Sequence, residues 1–312
     1  MMIFDRENME REFREMIVPL CEAVAPTGFE EEAAAVVRRF LPEGFELSTD
    51  RLNNLIAHRP GRGPKVAVVA HLDEIGLIVR TIDSRGFLWF ETLAGVQPQQ
   101  LFGKHVIVKT ENGHVDGVVN HMKPGRPAPC PQMPATLDEF FIDIGAASRE
   151  EALEMGVEVG SPVTLEYPTL FMGKEKQVVA GKALDDRACV WQLIELCRLL
   201  ADEPDAPDLY AVFSTQEEVG GRGAIVAAQN IRPDFVIALD MSLSTDLPGM
   251  AERQMVNAQR AGVSIKVMDR SRGAACGLIS DAQIVRESVP LRRVQDNWTM
   301  DIGTLRSLMI RD

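Results

Sequence analysis

The chain has 312 residues, 46% hydrophobic and 25% charged, with 46 Asp and Glu against 33 Lys and Arg and a formal net charge of −13. A chain of that size and balance buries a sizeable core in one large or two ordinary domains, which excludes wholesale disorder and collagen-like repeats. The acidic excess argues against a nucleic-acid binder, which carries a basic face, and against attraction to anionic membranes.

In chain order, residues 8–23 read as an amphipathic helix, with Phe13, Ile17 and Leu20 at helical spacing. Pro26-Thr27-Gly28 breaks it. Glu30-Glu31-Glu32 then suit the first turn of a second helix that runs to about Leu41. Two β-rich runs follow, Asn54–Ala57 and Val66–Ala70, and the second is continuously apolar, as in a strand covered on both faces.

From Gly76 to about Tyr167 the texture changes. Short β-like pieces (Gly76–Ile82, Phe87–Glu91, Val106–Lys109, Val115–Val119, Phe140–Ile144 and Val163–Leu165) alternate with turn signals such as Glu111-Asn112-Gly113. Pro124–Pro134 holds five prolines and reads as a surface loop or flap, and Ser148–Met155 as one short helix. After Gly181 the pattern predicts a helix over Asp185–Leu200, a strand over Leu209–Phe213, a helix near Gly223–Gln229, and strands over Phe235–Leu239 and Val263–Met268. Alternating strands and helices predict an α/β fold: an open, mostly parallel sheet with helices on both faces. The β-rich block then reads as an insertion, giving an α/β domain of residues 1–73 and 167–312 around an inserted β domain of residues 74–166.

The first residues become charged at once, and no run of about 18 apolar residues could span a bilayer. The expected location is the cytoplasm. Cys21, Cys130, Cys189, Cys197 and Cys276 are odd in number, scattered and without a CxxC pair, so buried thiols are expected rather than disulfides or a thiolate zinc site.

Four groups of candidate ligands stand where predicted strands end or a helix begins. His71-Leu72-Asp73 follows Val66–Ala70, Asp185-Asp186 opens a helix, Glu217-Glu218 follows Leu209–Thr215, and Asp240 ends Phe235–Leu239. Open α/β sheets bind ligands beyond the carboxyl ends of their strands, so the four groups converge on one crevice. Imidazole and carboxylates together suit zinc, cobalt or manganese, and one of the paired glutamates can act as general base to an activated water. Taken singly, each group has an ordinary explanation: Asp185 as a helix cap, Glu217-Glu218 as a solvated helix face, His71 as a surface histidine. Their joint placement favours a metal site.

The strings Ala70–Gly76 (AHLDEIG), Gly181–Arg187 (GKALDDR), Gln216–Gly220 (QEEVG) and Ile237–Asp240 (IALD), with Phe141–Ala146 in the insertion, resemble the dizinc aminopeptidases of the glutamyl and deblocking type, whose subunits form tetrahedral shells. The resemblance runs from about Leu20 to about Leu305. It implies a zinc-exopeptidase-like fold with two divalent metal ions, Zn, Co or Mn. His71 would bind one metal with Asp240, Asp185 would bridge both, and Glu218 would bind the other. Asp73 would orient His71, and Glu217 would be the general base. Short peptides would be cut at their amino-terminal residue, with the free α-amino group helping to anchor them. The insertion would be a dimerisation domain, and dimers would build a homo-oligomer, up to a tetrahedral dodecamer. Neither nucleic acid nor membrane is an implied partner.

The family's remaining ligand is a histidine near the carboxyl end. The five histidines here are His58, His71, His105, His114 and His121, and none lies later. Trp298–Gly303 resembles an altered form of the glycine-rich segment that precedes that histidine, and Asn257–Arg260 replaces another glycine-rich stretch. The resemblance therefore implies a chain lacking the family's C-terminal end, a second metal site that is weak or empty, and impaired activity. A fragment of a longer protein is the favoured explanation, beside a diverged paralogue and a ligand supplied by a neighbouring subunit. His121 is expected to be an ordinary exposed histidine, and Arg187 either stabilises Asp186 or solvates the helix start. Two other readings stay open: a catalytically weak or inactive paralogue serving as an assembly or binding subunit, and a related dizinc hydrolase acting on another amide or a glycan.

Overall fold

The computed structural model describes residues 6–122, 136–255, 257–259, 264–265, 283–294 and 297–301. Helices α1 (Arg6–Glu22) and α2 (Glu31–Phe40) lead into strands β1 (Glu46–Thr49), β2 (Leu55–Arg59) and β3 (Lys65–His71). A β-rich stretch follows: β4 (Gly76–Ile82), β5 (Leu88–Leu93), the short α3 (Pro98–Leu101), β6 (His105–Thr110), β7 (Gly113–His121), β8 (Phe140–Asp143), α4 (Arg149–Glu154) and β9 (Pro162–Leu165). The chain continues through β10 (Leu170–Met172), β11 (Val178–Gly181), α5 (Leu184–Leu200), β12 (Asp208–Ser214), α6 (Arg222–Ile231), β13 (Phe235–Leu243), β14 (Ser264–Ile265), β15 (Gln283–Val294) and β16 (Asn297–Asp301).

The chain divides into two compact units, one of Met1–Ala23, Glu30–Asp73 and Pro168–Asp312, the other of Val24–Phe29 and Glu74–Tyr167. The first holds a ten-stranded sheet in the order β1-β2-β12-β3-β13-β15-β16-β11-β10, with β14 paired to β15. Its centre is parallel: β12 with β3, β3 with β13, and β13 with β15. Its flanks are antiparallel, so the sheet is mixed rather than parallel throughout. The flanking pairs β1–β2 and β10–β11 are joined by short connections, which have no room for a crossover helix. At the first, Asp50 Oδ1 accepts the amides of Leu52 and Asn54 and closes the turn.

Both faces of the parallel centre are covered. Helix α6 packs through Ala227 and Ile231 on Ile56 and Val212. The alternate residues Val68, Ala70, Ala211 and Phe213 point to the other face and are buried too. Helix α5 lies against β3 and β13, and its Trp191 meets Phe13 of α1 edge-on, with ring centroids 4.9 Å apart.

The second unit is a closed six-stranded barrel in the order β4-β5-β8-β7-β6-β9. Closure leaves no free strand edge. Alternate residues, among them Leu77, Val79, Leu88, Phe90, Val106, Val108, Ile142 and Val163, fill its interior. Gly117 is required there: a Cβ at that position would stand 2.8 Å from Ile142 Cγ2. His121 ends β7, half-buried, with its ring 5.0 Å from that of Phe102.

Cys21, Cys189 and Cys197 are buried. Among the described residues, no helix is long and apolar enough to cross a membrane. The proline-rich stretch 124–134, Cys130 and Cys276, most of the strand expected over 263–268, Arg260, and residues 302–303 lie outside the described residues. Residues 298–301, which resemble an altered glycine-rich segment, lie in β16, where Thr299 pairs with Ala180 of β11. Asn257 accepts the Thr245 amide at 2.9 Å through its carbonyl and donates its side-chain amide to Ser242.

Candidate metal centre

The register of the parallel strands brings the acidic motifs together. His71 ends β3 directly opposite Ser214 at the end of β12. Beside them β13 pairs Ala238 with Val69, so Asp240 falls two residues further along, at the same edge. Asp185 and Asp186 open α5 after β11.

Asp185 is not a helix cap. Ala183 holds the cap position in a left-handed conformation, φ +53°, and Asp185 and Asp186 are both non-helical. The Asp185–Asp186 peptide is cis. Glu217 and Glu218 do not lie on a helix face either. They sit in a turn between β12 and α6, and the buried Asp73 carboxylate accepts both their amides, at 2.9 and 3.1 Å.

His71 is 3% exposed and is surrounded by carboxylates. Its Nε2 lies 3.2 Å from Asp185 Oδ1 and 3.9 Å from Glu217 Oε2. Its Nδ1 lies 3.1 Å from the Asp73 carbonyl and 3.4 Å from Asp73 Oδ1. Its backbone amide donates to Asp186 Oδ2 at 3.1 Å. One ligand atom from each of His71, Asp185, Asp186 and Asp240 lies within 4.8 Å of the other three. Of the four ligands expected from sequence, this group contains His71, Asp185 and Asp240. It adds Asp186, and Glu218 stands outside it.

The electrostatics follow from that crowding. Burial opposes a charged His71, but its hydrogen bonds to Asp185 and Asp73 and the charges of Asp186 and Asp73 outweigh it and lift the imidazole well above its usual range. Burial likewise opposes a charged Asp73, yet His71 and the two glutamate amides hold it below the usual range. Burial, then the charges of Asp240 and Asp185, pushes Asp186 well up. Glu217 is raised by burial and by Asp240, Asp185 and Asp73. Glu218 is pushed up to about 8 by burial and then chiefly by Asp185. So much buried negative charge is unfavourable without cations. Asp186 Oδ1 is also buried without a hydrogen-bond partner. An imidazole, several carboxylates and one such oxygen form a donor set that fits divalent zinc, cobalt or manganese.

Of the supports of this site, the sequence marked Asp73 and Arg187 but not Asn54 or Glu30. Arg187 is fully buried, so it does not solvate the helix start; its Nε donates to the Leu72 carbonyl at 2.8 Å and its Nη1 to the Leu20 carbonyl. Asn54 and Glu30, both buried, hold the turn before Glu217. Asn54 Oδ1 accepts the Thr215 amide at 2.9 Å, its Nδ2 donates to the Gly223 carbonyl, and Glu30 Oε1 accepts the Gln216 amide at 3.0 Å. Gly223 admits no side chain, since a Cβ would stand 2.3 Å from Asn54 Oδ1. A buried-looking Asn54 at the head of an apolar strand was the one available signal.

The chain thus combines a mixed α/β sheet, an inserted barrel, and an imidazole–carboxylate cluster at one edge of the sheet's parallel centre. The chain belongs to the M42 glutamyl aminopeptidase family, whose model matches residues 53–289. It is 40% identical to the Escherichia coli K12 protein FrvX over 239 residues, which are 76% of this chain and 66% of FrvX. It is 39% identical to the lysyl aminopeptidase of Pyrococcus furiosus over 201 residues, 64% of this chain and 57% of that protein. These matches thus span less than two thirds of either relative. The TET aminopeptidase of a marine-sediment Thaumarchaeota archaeon superposes with a TM-score of 0.86 at 26% identity, covering 96% of this chain and 94% of that one.

Proposed function

We propose that this chain is a cytoplasmic, metal-dependent aminopeptidase that removes amino-terminal residues from short peptides. The observation that carries the reading is the meeting of His71, Asp185, Asp186 and Asp240 within 4.8 Å, with Glu217 Oε2 3.9 Å from His71 Nε2. His71, Asp185 and Asp240 would hold one divalent ion, and Asp185 with Glu218 a second. Such ions supply Lewis acidity and a water of lowered pKa.

The chain's own residues do the rest. Glu217, half-exposed and raised in pKa, takes a proton at its carboxylate from the attacking water and returns it to the departing amine. Asp73 keeps His71 in one orientation through Nδ1 and fixes the backbone of Glu217 and Glu218. The surplus of carboxylates favours a substrate that brings a free α-ammonium group, which makes the cut amino-terminal. The barrel unit would serve as a dimerisation domain, and dimers would assemble into a TET-type homo-oligomer. Nothing among the described residues points to impaired activity.

The test is metal analysis of the purified protein, hydrolysis of aminoacyl-anilides with and without chelator, and the mass of the native particle. Stoichiometric divalent metal and chelator-sensitive release of amino-terminal residues are expected. Tight metal without hydrolysis of any aminoacyl substrate would leave a binding scaffold instead.

A further inference from the structure

We propose that Glu30 is a positioning residue of this site: its buried carboxylate captures the Gln216 amide and so fixes the backbone from which Glu217 projects. The catalytic consequence rests on the reading of Glu217 as general base; the structural consequence does not.

Glu30 stands at the cap position of α2, yet its side chain makes no capping bond there. Ser, Thr, Asp or Asn is the usual choice for that task, so a glutamate buried to 4% exposure calls for another role. Its Oε1 reaches a residue 186 positions away, the amide of Gln216, at 3.0 Å.

Gln216 is a sensitive point. Its φ is +54°, in the left-handed region that residues other than glycine seldom adopt. Four successive amides around it are each captured by a side-chain oxygen. Thr215 goes to Asn54, Gln216 to Glu30, and Glu217 and Glu218 to Asp73. Asn54 and Asp73 hold the two ends of this run, and Glu30 captures the amide of the left-handed residue between them, whose carbonyl accepts the Arg222 amide at 3.2 Å. Without that acceptor, the Gln216 amide loses its partner, and a turn toward an ordinary φ is opposed only by the bonds at its carbonyl and its neighbours. A turn at residue 216 displaces the Glu217 carboxylate, whose reach to the transferred proton must stay within hydrogen-bond distance.

The experiment compares Glu30→Ala, Glu30→Gln and a control, Glu31→Ala, in the metal-loaded full chain. Hydrogen–deuterium exchange of the peptide spanning 214–221 is read beside kcat, KM and metal content. In Glu30→Ala the amides of 216–218 should exchange faster. The value of kcat should fall roughly 10- to 100-fold, the scale of a small misplacement of a reacting group, with KM and metal content near wild type. Glu30→Gln keeps an acceptor oxygen and should recover both protection and kcat; Glu31→Ala should change neither. If Glu30→Ala does not fold, Glu30→Asp withdraws the oxygen by one methylene and should give the same split to a smaller extent. Unchanged exchange at 216–218 in Glu30→Ala, or a Glu30→Gln variant as impaired as Glu30→Ala, overturns the proposal. If the wild-type chain hydrolyses no aminoacyl substrate, the proposed function fails, and the exchange data alone still decide whether Glu30 holds the turn.

Discussion

Asp73 Oδ1 accepts the backbone amide of Glu217 at 2.9 Å, across 144 residues of sequence. The same carboxylate gives its other oxygen to the Glu218 amide and faces His71 Nδ1 at 3.4 Å. One buried group therefore sets both the imidazole and the turn that carries the paired glutamates. Asp73→Asn keeps the shape but leaves one acceptor oxygen for three donors and removes the charge that supports His71. It should lower metal affinity or kcat/KM by roughly 10- to 100-fold, the usual effect of losing such an orienting carboxylate. Metal titration followed by kinetics at saturating metal separates the two, and a variant with wild-type values in both would refute the role.

Glu217 differs from its neighbours in a way that can be tested directly. It lies outside the group of four close donors, yet its Oε2 is 3.9 Å from His71 Nε2. A base in that position is dispensable for holding ions and necessary for moving a proton. Glu217→Gln should keep metal content at the wild-type level and lower kcat by roughly 100- to 10,000-fold. Loss of metal in this variant, or kcat within a few-fold of wild type, would show that the carboxylate is a ligand or a bystander.

Much of this was readable in the sequence, for identifiable reasons. Strands β3 and β13 carry continuous apolar runs that break at a candidate ligand, so Val66–Ala70 located His71 and Phe235–Leu239 located Asp240, although β13 itself continues to Leu243. The antiparallel flanks were harder. Strand β1 is exposed at all four positions and β10 is only partly covered at its middle residue, so neither carries a hydrophobic alternation that periodicity could detect. The pair Asp185-Asp186 was marked as a candidate, but the resemblance gives a metal only to Asp185, whereas both residues are non-helical and both belong to the donor group. Glu30 was hidden, as one acid among three at a helix start, because its partner is 186 residues away.

Protonation of the cluster ties stability to metal and pH. Glu218 rises from 4.5 to about 8 on folding and Glu217 is also raised, so the folded state holds protons that the unfolded state has released. Between about pH 5 and 8, therefore, the stability of the metal-free protein falls as pH rises. His71 acts in the same direction: its folded pKa is raised above 6.5, so its contribution is complete below that value and is lost as pH climbs through the raised one. Asp73, lowered from 3.8, stabilises above that value and loses its effect only in stronger acid. Metal binding needs the deprotonated ligands and releases their protons. Calorimetry with chelator should show Tm falling from pH 5.5 to 8, and added zinc should raise Tm more at pH 8 than at 5.5. A zinc-induced shift of equal size at both pH values would count against the cluster as the binding site.

Arg187 links the folding of the α/β unit to the geometry of the site. The guanidinium is fully buried and its hydrogen bonds go to two backbone carbonyls, Leu20 in α1 and Leu72 between His71 and Asp73. A buried hydrogen bond from a charged donor contributes about 1.5–3 kcal/mol, and removing the donor strands both carbonyls in a site closed to water. Arg187→Leu, which fills much of the same space, should therefore destabilise the protein by roughly 3 kcal/mol or more. Because the Leu72 peptide lies between His71 and Asp73, zinc affinity should fall as well. Arg187→Lys keeps a donor and a charge but loses the fork that reaches both carbonyls, so it should recover only part of the loss. Urea unfolding of both variants, each with and without zinc, measures the two effects, and full stability in Arg187→Leu would show that the carbonyls find other partners.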